Sequence, residues 1–180
     1  DQNGHGTLVS SIIAGTIGNG EGIAGITNSV KLRGYRAFNQ FGRSGQPKFK
    51  SGGYAVSDVM ASIATAVDDG CKVINLSLGG GSYSVLEAGV FEGIATMQVL
   101  CVIASGNDGK NNDQTPTYPA SYTAASIIAV AAQDRTGGLA NFSNYGIQTT
   151  DLAAPGTDIR GADVTRRVIY SNDFSSGANG

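Results

Sequence analysis

The stretch "VLCVIASGNDG", Val99 to Gly109, decides how the rest of the chain reads. Six nearly continuous apolar residues mark a strand covered on both faces, as in a parallel sheet. The run then breaks into a turn with glycines at 106 and 109. A second segment, "KVINLSLGGG" from Lys72 to Gly81, repeats the design: an apolar strand that empties into glycines. In an open parallel sheet, function gathers at the carboxyl ends of the strands. Neighbouring parallel strands would set Ser77-Leu78-Gly79 beside Ala104-Ser105-Gly106-Asn107.

The segments around these two strands fill in an alternating pattern. "YAVSDVMASIATAVDDG" places apolar residues at Val56, Val59, Met60, Ile63, Ala64 and Val67, which is helical spacing, and Gly70 supplies the stop. Ser84 with Glu87 three residues later reads as a capping box that opens a helix through "SYSVLEAGVFEGIATM". "SIIAVAA" is a short strand, and "DLAAPG" forms one more before a proline turn. "VKLRGYRAF", Val30 to Phe38, alternates and predicts a half-buried strand, followed by a polar, glycine-rich surface loop. Strands alternating with helices imply α/β architecture and right-handed crossovers. No internal repeat is present.

Composition limits the function classes. The chain has 180 residues, 41% of them hydrophobic and 14% charged, with a formal net charge of −2. That suits one domain with a real core and excludes a disordered chain. No basic cluster exists to neutralise phosphates, so no nucleic-acid partner is expected. No apolar run is long enough to cross a membrane, and no membrane partner is expected. No signal peptide is visible. Cys71 and Cys101 show no metal spacing and read as two separate buried thiols.

The one histidine, His5, lies in "DQNGHGTLVSSIIAG" between Gly4 and Gly6, at the mouth of an apolar helix. Its imidazole could act as a general base. A helix N-terminus disfavours the protonated ring, and a buried carboxylate partner would offset that. The plainer reading is a cap-region histidine with local hydrogen bonds. Asn107 could stabilise an oxyanion from its glycine turn, or could be present because asparagine tolerates left-handed backbone. Ser77, Leu78 and Gly79 could offer a backbone edge to an extended peptide, or simply end a strand. Gly79 to Gly81 could cradle a phosphate, but the P-loop lysine is absent and the spacing is not G-x-G-x-x-G. "GNGEG", Gly18 to Gly22, follows a helix and reads as a loop.

Taken in order, these blocks resemble the subtilisin-like serine proteases (subtilases, peptidase family S8). "NGHGTLVSSIIAG" looks like that family's histidine motif, "VINLSLGG" like its substrate-backbone strand, and "VIASGNDG" like the oxyanion-hole segment. "YPASYTAASIIAVAA", "LANFSNYG" and "DLAAPGTDI" resemble later family blocks in the expected sequence. The resemblance implies a three-layer sandwich, with a mainly parallel central sheet and helices on both faces, here incomplete. It makes His5 the general base and acid, and Asn107 the oxyanion donor. Ser77, Leu78 and Gly79 would pair with substrate, and Ala104, Ser105 and Gly106 would line the primary pocket. Leu8, where many relatives carry His or Ala, is a minor departure.

Two departures are larger. The family's aspartate and serine motifs match nothing here, and Asp1 cannot replace the aspartate. Ser171, Ser175 and Ser176 lie in "VIYSNDFSSGANG" without the nucleophile motif. The expected division is therefore a partial peptidase domain over 1–169 and a tail, or the start of an inserted accessory domain, over 170–180. The expected function is part of a serine endopeptidase whose 180-residue chain is inactive alone. The alternative is a non-catalytic module that keeps the peptide groove. The expected partners are a peptide or protein substrate in extended conformation and the missing parts of the catalytic domain. No cofactor is required for the chemistry. Relatives often use structural calcium, but the loop from Gly18 to Gly25 offers only Glu21 as a charged ligand, so no metal is assigned. The family resemblance places the protein outside the cell.

Overall fold

The computed structural model describes residues 4–37, 55–162 and 168–173, the last stretch by its backbone. Its elements run α1 (His5–Ala14), α2 (Val56–Asp68), β1 (Val73–Leu76), α3 (Val85–Thr96), β2 (Leu100–Ala104), β3 (Ile127–Gln133), β4 (Leu152–Pro155), β5 (Thr157–Ala162) and β6 (Val168–Asp173). Strands β1 to β4 form one sheet in chain order, every pair parallel. Strands β5 and β6 make a separate antiparallel pair.

The parallel register explains the core. Ile74 stands opposite Cys101, which stands opposite Ile127, and Leu76 opposite Ile103, which stands opposite Ala129. Side chains alternate along a strand, so these residues share one face. Val59 and Ile63 from α2, with Phe91 and Ile94 from α3, close over that face in a single cluster. Phe91 is fully enclosed, and Ser126 Oγ donates to its carbonyl at 2.7 Å, tying α3 to the entry of β3. On the opposite face Val73 and Leu152 remain exposed. Parallel sheet and helices together form the incomplete α/β architecture expected from the sequence.

Helix ends follow their local chemistry. At the end of α2, Gly70 takes a φ of 80°, its N–H donates to the Val67 carbonyl, and the Cys71 N–H donates to the Ala66 carbonyl. This double closure needs a left-handed residue, which glycine supplies without a Cβ penalty. At the start of α3, Ser84 Oγ accepts the Glu87 N–H at 3.3 Å, which is half of the expected capping box. The other half is rerouted. Tyr122 Oη accepts the Ser84 N–H at 2.9 Å and donates to Glu87 Oε2 at 2.8 Å. Glu87 is thereby buried beneath Tyr122, with Oε1 unpartnered.

The structure departs from the expected strand over Val30–Phe38. Residues 30–37 run without a strand ladder, and Phe38 lies outside the described residues. Alternating apolar residues do not suffice when no neighbouring backbone stands at pairing distance. Side chains anchor this segment instead. Arg33 pairs with Asp69 at 3.0 Å, and Tyr35 Oη donates to the same carboxylate at 2.6 Å. The polar loop predicted next, with its start at residue 38, falls outside the described residues through residue 54. Strand β6 runs across the boundary placed between residues 169 and 170, with Ile169 opposite Gly161 and Tyr170 opposite Arg160. Both cysteines are free; Cys101 is buried, which pushes its thiol up to about 12, whereas Cys71 is only half-buried.

Replacing Phe91 with Ala should destabilise the fold by about 3–5 kcal/mol, the cost of an enclosed aromatic plus its cavity. Urea denaturation checks this, and a loss under about 1 kcal/mol would contradict the packing. Glu87 gives a pH signature. Desolvation raises its carboxyl pKa and the Tyr122 hydroxyl only partly offsets this. A raised folded-state pKa stabilises the fold below the unfolded value, and that contribution is lost as pH rises through the folded one. Glu87→Gln mimics the protonated acid, so its Tm advantage over the parent should widen between about pH 4 and about pH 8. Calorimetry showing a constant or shrinking difference would contradict it.

Candidate active site

Two strand ends lie side by side. The last β1–β2 pair is Leu76 with Ile103, so the chain that follows each strand leaves the sheet side by side. These exits are Ser77-Leu78-Gly79 and Ala104-Ser105-Gly106-Asn107. A Cβ built on Gly79 would lie 3.7 Å from Thr117 Cγ2 and 4.0 Å from the Ala104 carbonyl oxygen. One built on Gly106 would lie 3.4 Å from the same Thr117 methyl. The Thr117 methyl therefore lies against both turns. Leu78 and Ser105 are buried, whereas Ser77, Gly79, Ala104, Gly106 and Asn107 are half-buried.

The turn that follows β2 is held from below. Gly106 has a φ of 117°, a conformation that suits glycine, and a Cβ there would strike Asn144 Nδ2. Asn144 is fully buried. Its Oδ1 accepts the N–H groups of Asp108 at 2.8 Å and Lys110 at 3.1 Å. Its Nδ2 donates to Asn112 Oδ1 and Thr117 Oγ1, both at 3.1 Å. Asn112, also fully buried, donates from Nδ2 to the Ser105 carbonyl at 2.8 Å. Two buried carboxamides and one hydroxyl thus satisfy one another and the turn, as buried polar groups must. Sequence reasoning assigned none of Asn112, Thr117 or Asn144. The available signal was an asparagine in "FSNYG", but its partners lie 27 to 36 residues away.

His5 is the first residue of α1, and the helix N-cap, Gly4, takes a φ of 84°. That left-handed value accounts for a glycine directly ahead of the imidazole. The ring is half-buried, and desolvation lowers its pKa from the ordinary 6.5, which favours the neutral, proton-accepting form. Helix α1 is seated on β5: Ser11 Oγ accepts the Ala162 N–H at 2.8 Å, and a Cβ on Gly161 would strike Leu8. The structure thus brings residues 77–79 and 104–107 together where β1 and β2 end, and ties α1, through Leu8 and Ser11, to β5. No group of three or more His, Cys, Asp or Glu capable of holding a metal occurs among the described residues.

The chain matches the model of the subtilase family, Peptidase S8, over residues 1–178. It is 43% identical over 155 residues to halolysin of Haloferax mediterranei, a match covering 86% of this chain and 27% of that protein. It is 34% identical over 175 residues to a thermophilic serine proteinase of Bacillus sp. strain AK1, covering 97% of this chain and 40% of that one. Among solved structures it resembles a psychrophilic subtilisin-like protease from the Antarctic Pseudoalteromonas sp. AS-11. That likeness has a TM-score of 0.71 and 32% identity, and it covers 88% of this chain and 33% of the other. The chain therefore spans well under half the length of these relatives. With a family model matching residues 1–178 and the expected parallel sheet beneath its blocks, this chain belongs to the subtilase family of serine proteases.

Proposed function

We propose that this chain is the base-and-oxyanion part of a serine endopeptidase that cleaves extended peptides. The observation that carries the reading is the side-by-side exit of Ser77–Gly79 and Ala104–Asn107 from paired parallel strands. In this reading the substrate backbone pairs with Ser77, Leu78 and Gly79. Ala104, Ser105 and Gly106 form the facing wall, and the side chain between them enters the crevice above Thr117. A serine hydroxyl attacks the scissile carbonyl carbon while His5 takes its proton. The carbonyl oxygen becomes an oxyanion and accepts a hydrogen bond from the Asn107 carboxamide. His5 then returns the proton to the leaving amine.

The nucleophile and the carboxylate that orients His5 match no segment of these 180 residues, so the reading needs both from the larger catalytic domain. The chain alone is accordingly proposed to be inactive. The chemistry calls on no metal. By its family, the protein is proposed to act outside the cell. A peptide-binding module without catalysis would keep the same crevice, and kinetics of the whole protein separate the two.

In the whole protein, Asn107→Ala should lower kcat on the order of 10²–10³ with KM nearly unchanged, the size of loss expected when one oxyanion donor is removed. His5→Ala should cost at least about 10⁴. Hydrolysis of a chromogenic peptide at the parent rate by both variants, or robust hydrolysis by the 180-residue chain alone, would refute the assignment. In the chain without its carboxylate partner, proton NMR should place the His5 midpoint below 6.5. A midpoint at or above that value would mean the ring is not desolvated.

A further inference from the structure

We infer that Asn144 is the positioning residue of the oxyanion hole, acting through Asn107. This rests on the reading of Asn107 as the oxyanion donor. Asn144 grips the peptide units on both sides of that residue. Its N–H donates to the Gly106 carbonyl at 2.9 Å, and its Oδ1 accepts the Asp108 N–H at 2.8 Å. A third grip comes through Asn112, whose Nδ2 holds the Ser105 carbonyl at 2.8 Å and whose Oδ1 receives Asn144 Nδ2 at 3.1 Å. Three consecutive peptide units around the donor are therefore fixed to Asn144 and Asn112, two of them by the carboxamides and one by the Asn144 backbone N–H.

The Asn144 side chain spends its whole hydrogen-bonding capacity, two acceptor and two donor bonds, on this task. It is completely shielded from solvent, so a lost partner would leave a buried polar group unsatisfied. Gly106 makes room for this arrangement, because a Cβ there would meet the Asn144 amide. Such anchoring has a catalytic use. An oxyanion donor works only when it is held ready at hydrogen-bond distance from the developing charge. A misplacement of about 1 Å can cost about 10²-fold in rate. The same amide reaches Thr117 Oγ1 at 3.1 Å, so the floor of the crevice and the donor turn share one anchor. Asn144 itself touches no substrate in this reading.

The test is a double-mutant cycle on kcat, made in the whole protein with a chromogenic peptide. Asn144→Ala should lower kcat by about 10- to 100-fold, with KM changed less than about 2-fold. In an Asn107→Ala background the same change should cost almost nothing, because the group being positioned is gone. Asn112→Ala removes only the grip on the Ser105 carbonyl and should lower kcat less than Asn144→Ala does, again only while Asn107 is present, and this variant decides the matter if Asn144→Ala does not fold. Equal losses in both backgrounds, a loss confined to KM or Tm, or an unchanged kcat would overturn the inference while leaving Asn107 as the donor. An Asn107→Ala variant with unchanged kcat would instead overturn the oxyanion reading, and the inference with it.

Discussion

The parallel pairing of β1 with β2 is the constraint on which the rest depends. Four residue pairs, from Val73–Leu100 to Leu76–Ile103, fix the register. A one-residue slip of β1 would turn Ile74 and Leu76 away from the helices that cover them. It would also move the exit of one turn relative to the other, so that Gly79 and Gly106 no longer flanked a common methyl of Thr117. The hydrophobic core and the crevice are therefore set by one register. Burial of Val59, Ile63, Phe91 and Ile94 against the sheet stabilises it. The chemistry inherits its geometry from packing that never touches a substrate.

Above the sheet the design changes from apolar to polar. The β2 exit carries almost no hydrophobic anchor and is held by carboxamides: Asn144 beneath Asp108 and Lys110, and Asn112 beneath Ser105. A hydrophobic clamp would leave the peptide groups of a tight turn unsatisfied, which costs about 1–3 kcal/mol for each buried group. The carboxamides satisfy those groups and impose direction as well, since each bond has a preferred line. The other loops show the same economy. Asp113 accepts the N–H groups of Ile147 and Thr149 at 2.8 and 3.0 Å together with the Thr149 hydroxyl, and these bonds hold its pKa below the usual carboxylate value.

How much of this was legible in sequence follows from the range of each interaction. The β2 strand and its turn were readable because a strand buried on both faces has no polar alternation. The end of α2 was readable because glycine chemistry at Gly70 is local. The block order was readable enough to name the family that the comparisons then showed. What failed was what depends on distant partners. Residues 30–37 alternate as a strand does, yet strand identity is conferred by a neighbour, and their contacts go to Asp69. The capping box at Ser84 was half legible, because the carboxylate of Glu87 turned to Tyr122, 35 residues on. The hairpin of β5 and β6 carries little apolar pattern in "TDIRGA" and "VIYSND", and went unforeseen. Asn144 looked like one more loop asparagine.

The central claim is that one crevice, formed where β1 and β2 end, receives both the substrate backbone and the developing negative charge. The most direct measurement is a crystal structure of the whole protein with a peptidyl transition-state analogue bound covalently. The account predicts the analogue's oxyanion within about 2.7–3.1 Å of Asn107 Nδ2. It also predicts the analogue's backbone paired with Ser77–Gly79 and the His5 imidazole within hydrogen-bond reach of the bound nucleophile. An analogue seated away from these two turns, or His5 and Asn107 on opposite sides of it and out of reach, would contradict the account.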